Sequence, residues 1–480
     1  MLFIVMATQK FSLASPPEKF TMPVRTVPGT DIQYYLICFD ANGVERSEKD
    51  GSILSVQVIS RLASATDPIS DVFFCSHGWQ GDVPGAIAQY DRWVGVMAAS
   101  TDFAVAKASR PGFSPLVVGV HWPSLPYGDE NLPEAGVLSV DDDTQIETQV
   151  DAFAATISNS KTARDAIRVI LTAAKEDDGE RETLPEHVRS AYELLVLEAA
   201  LPEGGSNPGG PPGEEMGEWD ADAIYADARE IVKSDSATEA EGTPGLLGGG
   251  FFDKLKGLVV APLQQLSFWK MKDRARSIGE GGVHSLLIAM QEASTPATQF
   301  HLMGHSFGCI VMSATVAGSA GGAALKRPVD SLFLVQGALS LWSFSPNIPI
   351  EPGKVGYFNR ILAEHLVRGP IVTTQSSHDT AVGKLYPAAV IVKSQFLLGD
   401  EYPKYGGIGT YGIQGVGDIG QNLEMFDVTH DYGFKPGLVY NLESSAVIKT
   451  SSNLASGAHS DIAHPEVAHA FWQAAVHSTL

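Results

Sequence analysis

Residues 300–309, Phe300-His301-Leu302-Met303-Gly304-His305-Ser306-Phe307-Gly308-Cys309, constrain the fold of this chain more than any other stretch. An apolar run enters Gly304-His305-Ser306-Phe307-Gly308 and leaves it into a small-residue run over 310–320. That pattern predicts a strand, a sharp turn and a helix. A nucleophilic serine has to stand exposed on such a turn, and flanking glycines are what the sterics allow there. The helix behind the serine points backbone N–H groups and a positive dipole end toward developing negative charge. The pentapeptide alone is weak, since Gly and Ser are common; the strand before it and the helix after it give it weight. The competing reading is an ordinary strand-to-helix turn.

Further strands are predicted over 32–39, 55–59, 71–76, 116–121, 331–335, 370–374 and 438–442 from apolar runs. The run at 116–121 is near-continuously apolar, as expected where a sheet is covered on both faces. Ile87, Tyr90, Trp93, Val94 and Met97 recur at helical spacing, and so do apolar residues over 163–174 and 188–200. A helix is predicted around 357–367, and Pro465 opens a closing amphipathic helix with Val467, Ala468, Phe471 and Ala475. Apolar positions from Trp269 to Leu287 suggest a helix broken near 279–282. Residues 202–217 are dense in Gly, Pro and Glu and read as a mobile loop; 397–420 is Gly-rich and reads as irregular. Strands alternating with helices imply a mostly parallel, doubly covered sheet with active residues at the carboxyl ends of its strands.

Four segments follow: an irregular leader (1–30), the first part of the core (31–126), an acidic, mostly helical cap insertion with a flexible Gly/Pro-rich tract (127–250), and the second part of the core (251–480). The acidity is localised. Between Asp129 and Glu241 there are 28 acidic and 8 basic residues, a balance of −20 out of the chain's −23. A charge of that sign excludes nucleic acid as an expected partner. No apolar run approaches the roughly 20 residues of a membrane-spanning helix, and the opening Met1-Leu2-Phe3-Ile4-Val5-Met6-Ala7 lacks a basic start. Cys38, Cys75 and Cys309 form no metal spacing and sit in apolar runs, as free thiols of a reducing, cytoplasmic compartment would. No phosphate loop, dinucleotide pattern or zinc spacing is present, so no cofactor or metal is expected. Phe251, Phe252, Leu255, Leu258, Val259, Val260, Leu263 and Leu266, beside Lys254, Lys256 and Lys270, form either a lid or lipid contact or, more simply, a helix packed on the sheet.

A serine hydroxyl needs a base, and the base an orienting acid. Gly304-His305-Ser306-Phe307-Gly308 after one strand and His77-Gly78 after an earlier one resemble the α/β-hydrolase superfamily, over the sheet-forming parts and not over the acidic insertion. The resemblance implies the α/β-hydrolase fold and the chain order nucleophile, acid, histidine, with the acid after a late strand and the histidine after the last. Asp379, in Gln375-Ser376-Ser377-His378-Asp379, stands at the position of the acid; its competing reading is a helix cap. His459, in Ala458-His459-Ser460-Asp461-Ile462, lies between the last strand and the closing helix, with His464 and His430 as alternatives. His469 and His477 fall within that helix; Asp330 precedes its strand and so belongs to the wrong end of the sheet; Asp461 is a candidate supporting group. The oxyanion donors are expected to be the backbone N–H of Phe307 and one from the loop after the third strand, Trp79 before Gly78. His121 and Trp122 either line the pocket or sit satisfied in the core.

The expected activity is therefore hydrolysis of a carboxylic ester, on a small molecule or a lipid, through an acyl-enzyme on Ser306, His459 and Asp379. A peptidase or amidase of the same fold is the second reading, and a non-catalytic interaction protein on the same scaffold the third. Substrate identity and oligomeric state are not legible.

Overall fold

The computed structural model describes residues 24–47, 51–78, 83–124, 143–177, 180–200, 207–214, 219–229, 257–379, 402–450 and 458–476. Nine strands form one sheet in the order β1-β2-β4-β3-β5-β6-β7-β9-β8. They are β1 (Arg25–Thr26), β2 (Gln33–Cys38), β3 (Asp71–Ser76), β4 (Pro115–His121), β5 (Gln299–His305), β6 (Ser331–Val335), β7 (Ile371–Gln375), β8 (Gly420–Glu424) and β9 (Val439–Glu443). Every pairing is parallel except that of β1 on β2. β3 lies between β4 and β5, with Phe73 in register with Val117 on one side and His301 on the other.

Helices among the described residues include α1 (Leu54–Leu62), α2 (Val83–Ala99), α3 (Thr101–Ser109), α4 (Asp143–Thr156), α5 (Lys161–Glu176), α6 (Glu186–Ala199), α7 (Ala261–Ile278), α8 (His284–Ala293), α9 (Gly308–Ala317), α10 (Asn359–Ala363), α11 (Ile408–Tyr411) and α12 (Pro465–Val476). Alternate side chains of a strand point to opposite faces, and here they enter two separate cores. Val72, Phe74, Val118, Leu302 and Leu334 pack with α1, α7, α8 and α9. Phe73, Cys75, Val117, Met303 and Phe333 pack with α2 and α12. A third core joins α4, α5 and α6 to Leu258, Val259, Val260, Leu263 and Leu266. α7 thus belongs to two cores, since Phe268, Trp269, Met271, Ala275 and Ile278 face the sheet. The stretch 258–266 is therefore buried against α5 and α6, where a helix packed on the sheet was the simpler expectation; Phe251, Phe252, Lys254, Leu255 and Lys256 lie outside the described residues.

Several elements depart from the pattern. The 55–59 stretch is helical, not a strand: Leu54, Val58 and Leu62 recur at helical spacing and are all buried. α3 and β8 carry no strong apolar period and escape notice for that reason. Arg25 and Thr26, within the expected leader, pair with β2. The break expected near 279–282 is a π-helical turn, Gly279–Val283, between α7 and α8. Only Asn359–Ala363 of the helix expected over 357–367 forms. Residues 207–214, expected to be loose, are docked: Ser340 Oγ donates to the Pro208 carbonyl (2.6 Å), Tyr357 N–H to the Gly209 carbonyl (2.7 Å) and Asn207 Nδ2 to the Val355 carbonyl (3.0 Å). Backbone carbonyls satisfied in this way let a Gly/Pro tract be buried without secondary structure.

All three cysteines are buried thiols that form no disulfide. Burial pushes the Cys75 thiol up to about 12, and the Cys309 thiol well above its ordinary value. At the amino ends of the central strands, Arg110 donates to both carboxylate oxygens of buried Asp71, at 3.0 and 3.1 Å. No helix among the described residues is long and apolar enough to cross a membrane.

Candidate active site

β5 ends at His305, α9 begins at Gly308, and Ser306 occupies the turn between them with φ +57°. That left-handed conformation costs a serine on the order of 1 kcal/mol or more and persists only where its surroundings over-determine it. They do: Ser306 N–H donates to the Val335 carbonyl (3.1 Å), and the Ser306 carbonyl accepts from Cys309 N–H (3.1 Å) and Ala338 N–H (3.2 Å). The helix start is pressed against β3. A Cβ on Gly308 would lie 2.2 Å from the Ser76 carbonyl oxygen, so only glycine fits.

Asp379 closes the turn after β7, its N–H on the Ser376 carbonyl at 3.1 Å. His459 lies on the segment that precedes α12. Ser306 O–H donates to His459 Nε2 at 2.7 Å, and His459 Nδ1–H donates to Asp379 Oδ2 at 2.7 Å. Ends of β5 and β7 and the loop before α12 thus bring together three residues separated by 73 to 153 positions. All three are buried. Hydrogen-bonded in this order, a hydroxyl can lose its proton to an imidazole whose cationic form a carboxylate stabilises.

The alternatives take other places. His464 Nε2 bonds Asp461 Oδ1 at 2.8 Å, and Asp461 Oδ2 accepts from Lys449 N–H (3.1 Å) and Thr450 N–H (2.7 Å), which ties the His459 loop to the chain after β9. Backbone contacts with α12 occupy His430, whose carbonyl accepts from His469 Nε2 at 2.6 Å; Asp102 holds the other nitrogen of His469 at 2.9 Å. Asp330 precedes β6, where it accepts from Phe300 N–H (2.7 Å) and pairs with Arg368. His477 lies outside the described residues.

Phe307 is the N-cap of α9, so its amide belongs to that helix's positive end. Gly78 approaches from the end of β3: a Cβ there would stand 2.6 Å from Ser306 Cβ and 3.2 Å from its Oγ. Trp79 lies outside the described residues. Below the loop, buried His77 shares a hydrogen bond with the Gly78 carbonyl through Nδ1 (2.8 Å) and another with His121 Nδ1 through Nε2 (3.0 Å), and its ring stacks on Trp122 at 5.9 Å. Tyr90 O–H accepts from His77 N–H at 2.9 Å and donates to the Val120 carbonyl at 2.7 Å. His121 and Trp122 are therefore props under the loop, both buried. Burial first, then the charges of His77 and Arg46, holds His121 well below its ordinary value, so it is neutral.

Two further residues complete the arrangement. Gln336, directly after β6, donates from Nε2 to Asp379 Oδ2 (2.9 Å) and to the Gly409 carbonyl (3.2 Å), while Thr374 Oγ1–H fixes its Oε1 at 2.9 Å. His305, the residue between Gly304 and Ser306, bonds the His459 carbonyl through Nε2 at 3.0 Å and Gln89 through Nδ1 at 2.9 Å. A polar residue directly after a buried strand was the one sign of Gln336. No group of three or more His, Cys, Asp or Glu among the described residues is arranged to hold a metal ion. Comparison with models of known protein families, with curated proteins and with solved structures finds no match to this chain.

Proposed function

We propose that this chain is a serine hydrolase of the α/β-hydrolase type that cleaves a carboxylic ester through an acyl-enzyme. The observation that carries the reading is the continuous Ser306–His459–Asp379 hydrogen-bond chain, 2.7 Å at each link, on a serine held at φ +57° between strand and helix. The parallel sheet with a core on each face, and the site at the carboxyl ends of its strands, support the fold assignment. α4, α5 and α6, which lie between β4 and β5 in sequence and share a core with the start of α7, support the reading of a helical cap.

In this mechanism Ser306 Oγ attacks the ester carbonyl as its proton passes to His459 Nε2. Asp379 keeps Nδ1–H oriented and stabilises the imidazolium without taking the proton. The carbonyl electron pair moves onto oxygen, which the Phe307 amide receives together with a donor from the 78–79 stretch; loss of one such donor costs roughly 3–4 kcal/mol in comparable sites. Collapse of the tetrahedral adduct expels the alkoxide, which His459 protonates. Water, deprotonated by the same imidazole, then releases the acid and restores Ser306. Esters stand ahead of amides on the resemblance of the elbow alone.

The test is burst kinetics on p-nitrophenyl esters of increasing chain length, with the parent and with Ser306→Ala. A burst that disappears in the variant, with an optimum chain length, supports the acyl-enzyme and sizes the pocket. Covalent labelling of Ser306 by a fluorophosphonate without turnover of any ester moves the reading to an amide substrate. Neither burst nor label overturns it.

A further inference from the structure

We propose that His305 is a positioning residue: its neutral imidazole ties the main chain of the base, His459, to the strand that carries the nucleophile. The proposal rests on the reading of Ser306, His459 and Asp379 as a catalytic triad.

The geometry is asymmetric in a useful way. His459 is held by its ring to Ser306 and Asp379, at 2.7 Å each, and by its carbonyl to His305 Nε2 at 3.0 Å. His305 is the last residue of β5 and the neighbour of Ser306, so one rigid strand end fixes the nucleophile through its backbone and the base through the adjacent side chain. Reacting groups must be held within about 0.5 Å of productive geometry, which loops alone seldom achieve. Alternation along β5 sends His305 to the side of the sheet that α2 covers, and its partners there are Gln89 and Trp93. Beside it a cavity of about 40 Å³ is lined by Gln89, Arg92, Trp93, His305, Ser460 and Ile462, behind the His459 loop.

The hydrogen bonds select one protonation state. A carbonyl accepts only, so Nε2 of His305 carries the hydrogen and donates to His459; Nδ1 then accepts from the Gln89 amide N–H. The titratable and charged groups facing it are His459, His77 and Arg92. Burial first, then the charge of His459, lowers the imidazole to about 3, against the contrary effect of its bond to the His459 carbonyl. The two rings stand 5.0 Å apart. A neutral His305 neither repels the imidazolium that forms on His459 nor competes for the serine proton.

The experiment measures kcat and KM on the best p-nitrophenyl ester, and follows the histidine rings by 15N NMR, in the full chain. His305→Ala is expected to lower kcat about 10- to 100-fold with KM changed less than about 3-fold, as for removal of a group that orients a catalytic ligand. His305→Gln, whose amide reaches the same carbonyl, is expected to recover to within about 5-fold of the parent. Should His305→Ala fail to fold, Gln89→Leu carries the test, with kcat several-fold lower at unchanged KM. A kcat in His305→Ala within about 2-fold of the parent overturns the proposal. So does an equal loss in His305→Ala and His305→Gln at equal thermal stability. The NMR arm is independent of turnover: in the parent and in Ser306→Ala, His305 is expected to remain an Nε2–H neutral ring from about pH 8 to about pH 5. An Nδ1–H ring, or titration within that range, overturns the proposal even if no ester is hydrolysed. Absence of any label on Ser306 counts against the hydrolase reading alone and leaves His305 to the NMR result.

Discussion

Gln336 stands at φ +46°, a conformation that costs a non-glycine residue on the order of 1 kcal/mol or more. Its amide spans Asp379 and Gly409, and Thr374 locks the other end. The strain therefore supports an orientation: Asp379 Oδ2 receives one donor from Gln336 and one from His459. Gln336→Leu is expected to lower kcat about 10-fold or more, because the carboxylate loses a buried donor and with it a fixed rotamer. The check is steady-state kinetics together with the thermal midpoint; a loss of midpoint with kcat unchanged sinks the orienting role. Ser306 was legible in the sequence because the elbow is local: strand, turn and helix occupy one short stretch. Asp379 and His459 were legible only through chain order. Gln336, His77 and His305 were not, because their roles consist of partners 43, 44 and 154 residues away, and a lone buried polar residue carries no period.

At the scale of elements, burial pattern decided what the sequence revealed. β3, β4 and β5 are buried nearly throughout and were read within a residue or two, whereas α1 alternates over Ser55-Val56-Gln57-Val58-Ile59 and mimics a strand. Tertiary packing settles such ambiguities, since only the helix buries Leu54, Val58 and Leu62 together. α7 shows what sequence cannot supply at all. Its amino-terminal half packs with α4 and α6, its carboxyl-terminal half with the sheet, and nothing in a periodic pattern says that a helix serves two cores. Leu263, fully buried in the third core, makes this testable. Leu263→Ala is expected to cost about 2–5 kcal/mol and to lower one common melting transition. Differential scanning calorimetry that resolves two transitions, with only the first moved, would separate α4, α5 and α6 from the sheet energetically.

Over the whole molecule two buried histidines contribute to the response to acid. His305 and His121 are buried neutral, the first at about 3 and the second well below its ordinary value. Both folded values lie under that of an unfolded histidine, about 6.5, so the unfolded chain binds the extra protons and stability drains as pH falls below about 6.5. Each group contributes a slope of about 1.4 kcal/mol per pH unit once the unfolded chain is protonated. Thermal midpoints are expected to fall between about pH 6 and about pH 4.5, and less steeply in His305→Gln; an unchanged slope in that variant would remove His305 from the account.

The docked tract 207–214 bears on how such a protein can change over generations. Its carbonyls are claimed by Ser340 and Tyr357, and a Cβ at Gly209 would meet the Trp342 carbonyl oxygen at 2.8 Å. Ser340 lies four residues beyond Gln336, which bonds Asp379. An exchange that replaced 207–214 would leave Ser340 without its Pro208 partner, four residues beyond the side chain that bonds Asp379. Tract 207–214 and the loop after β6 are therefore expected to tolerate change only in concert, since Pro208 and Gly209 each have a partner there.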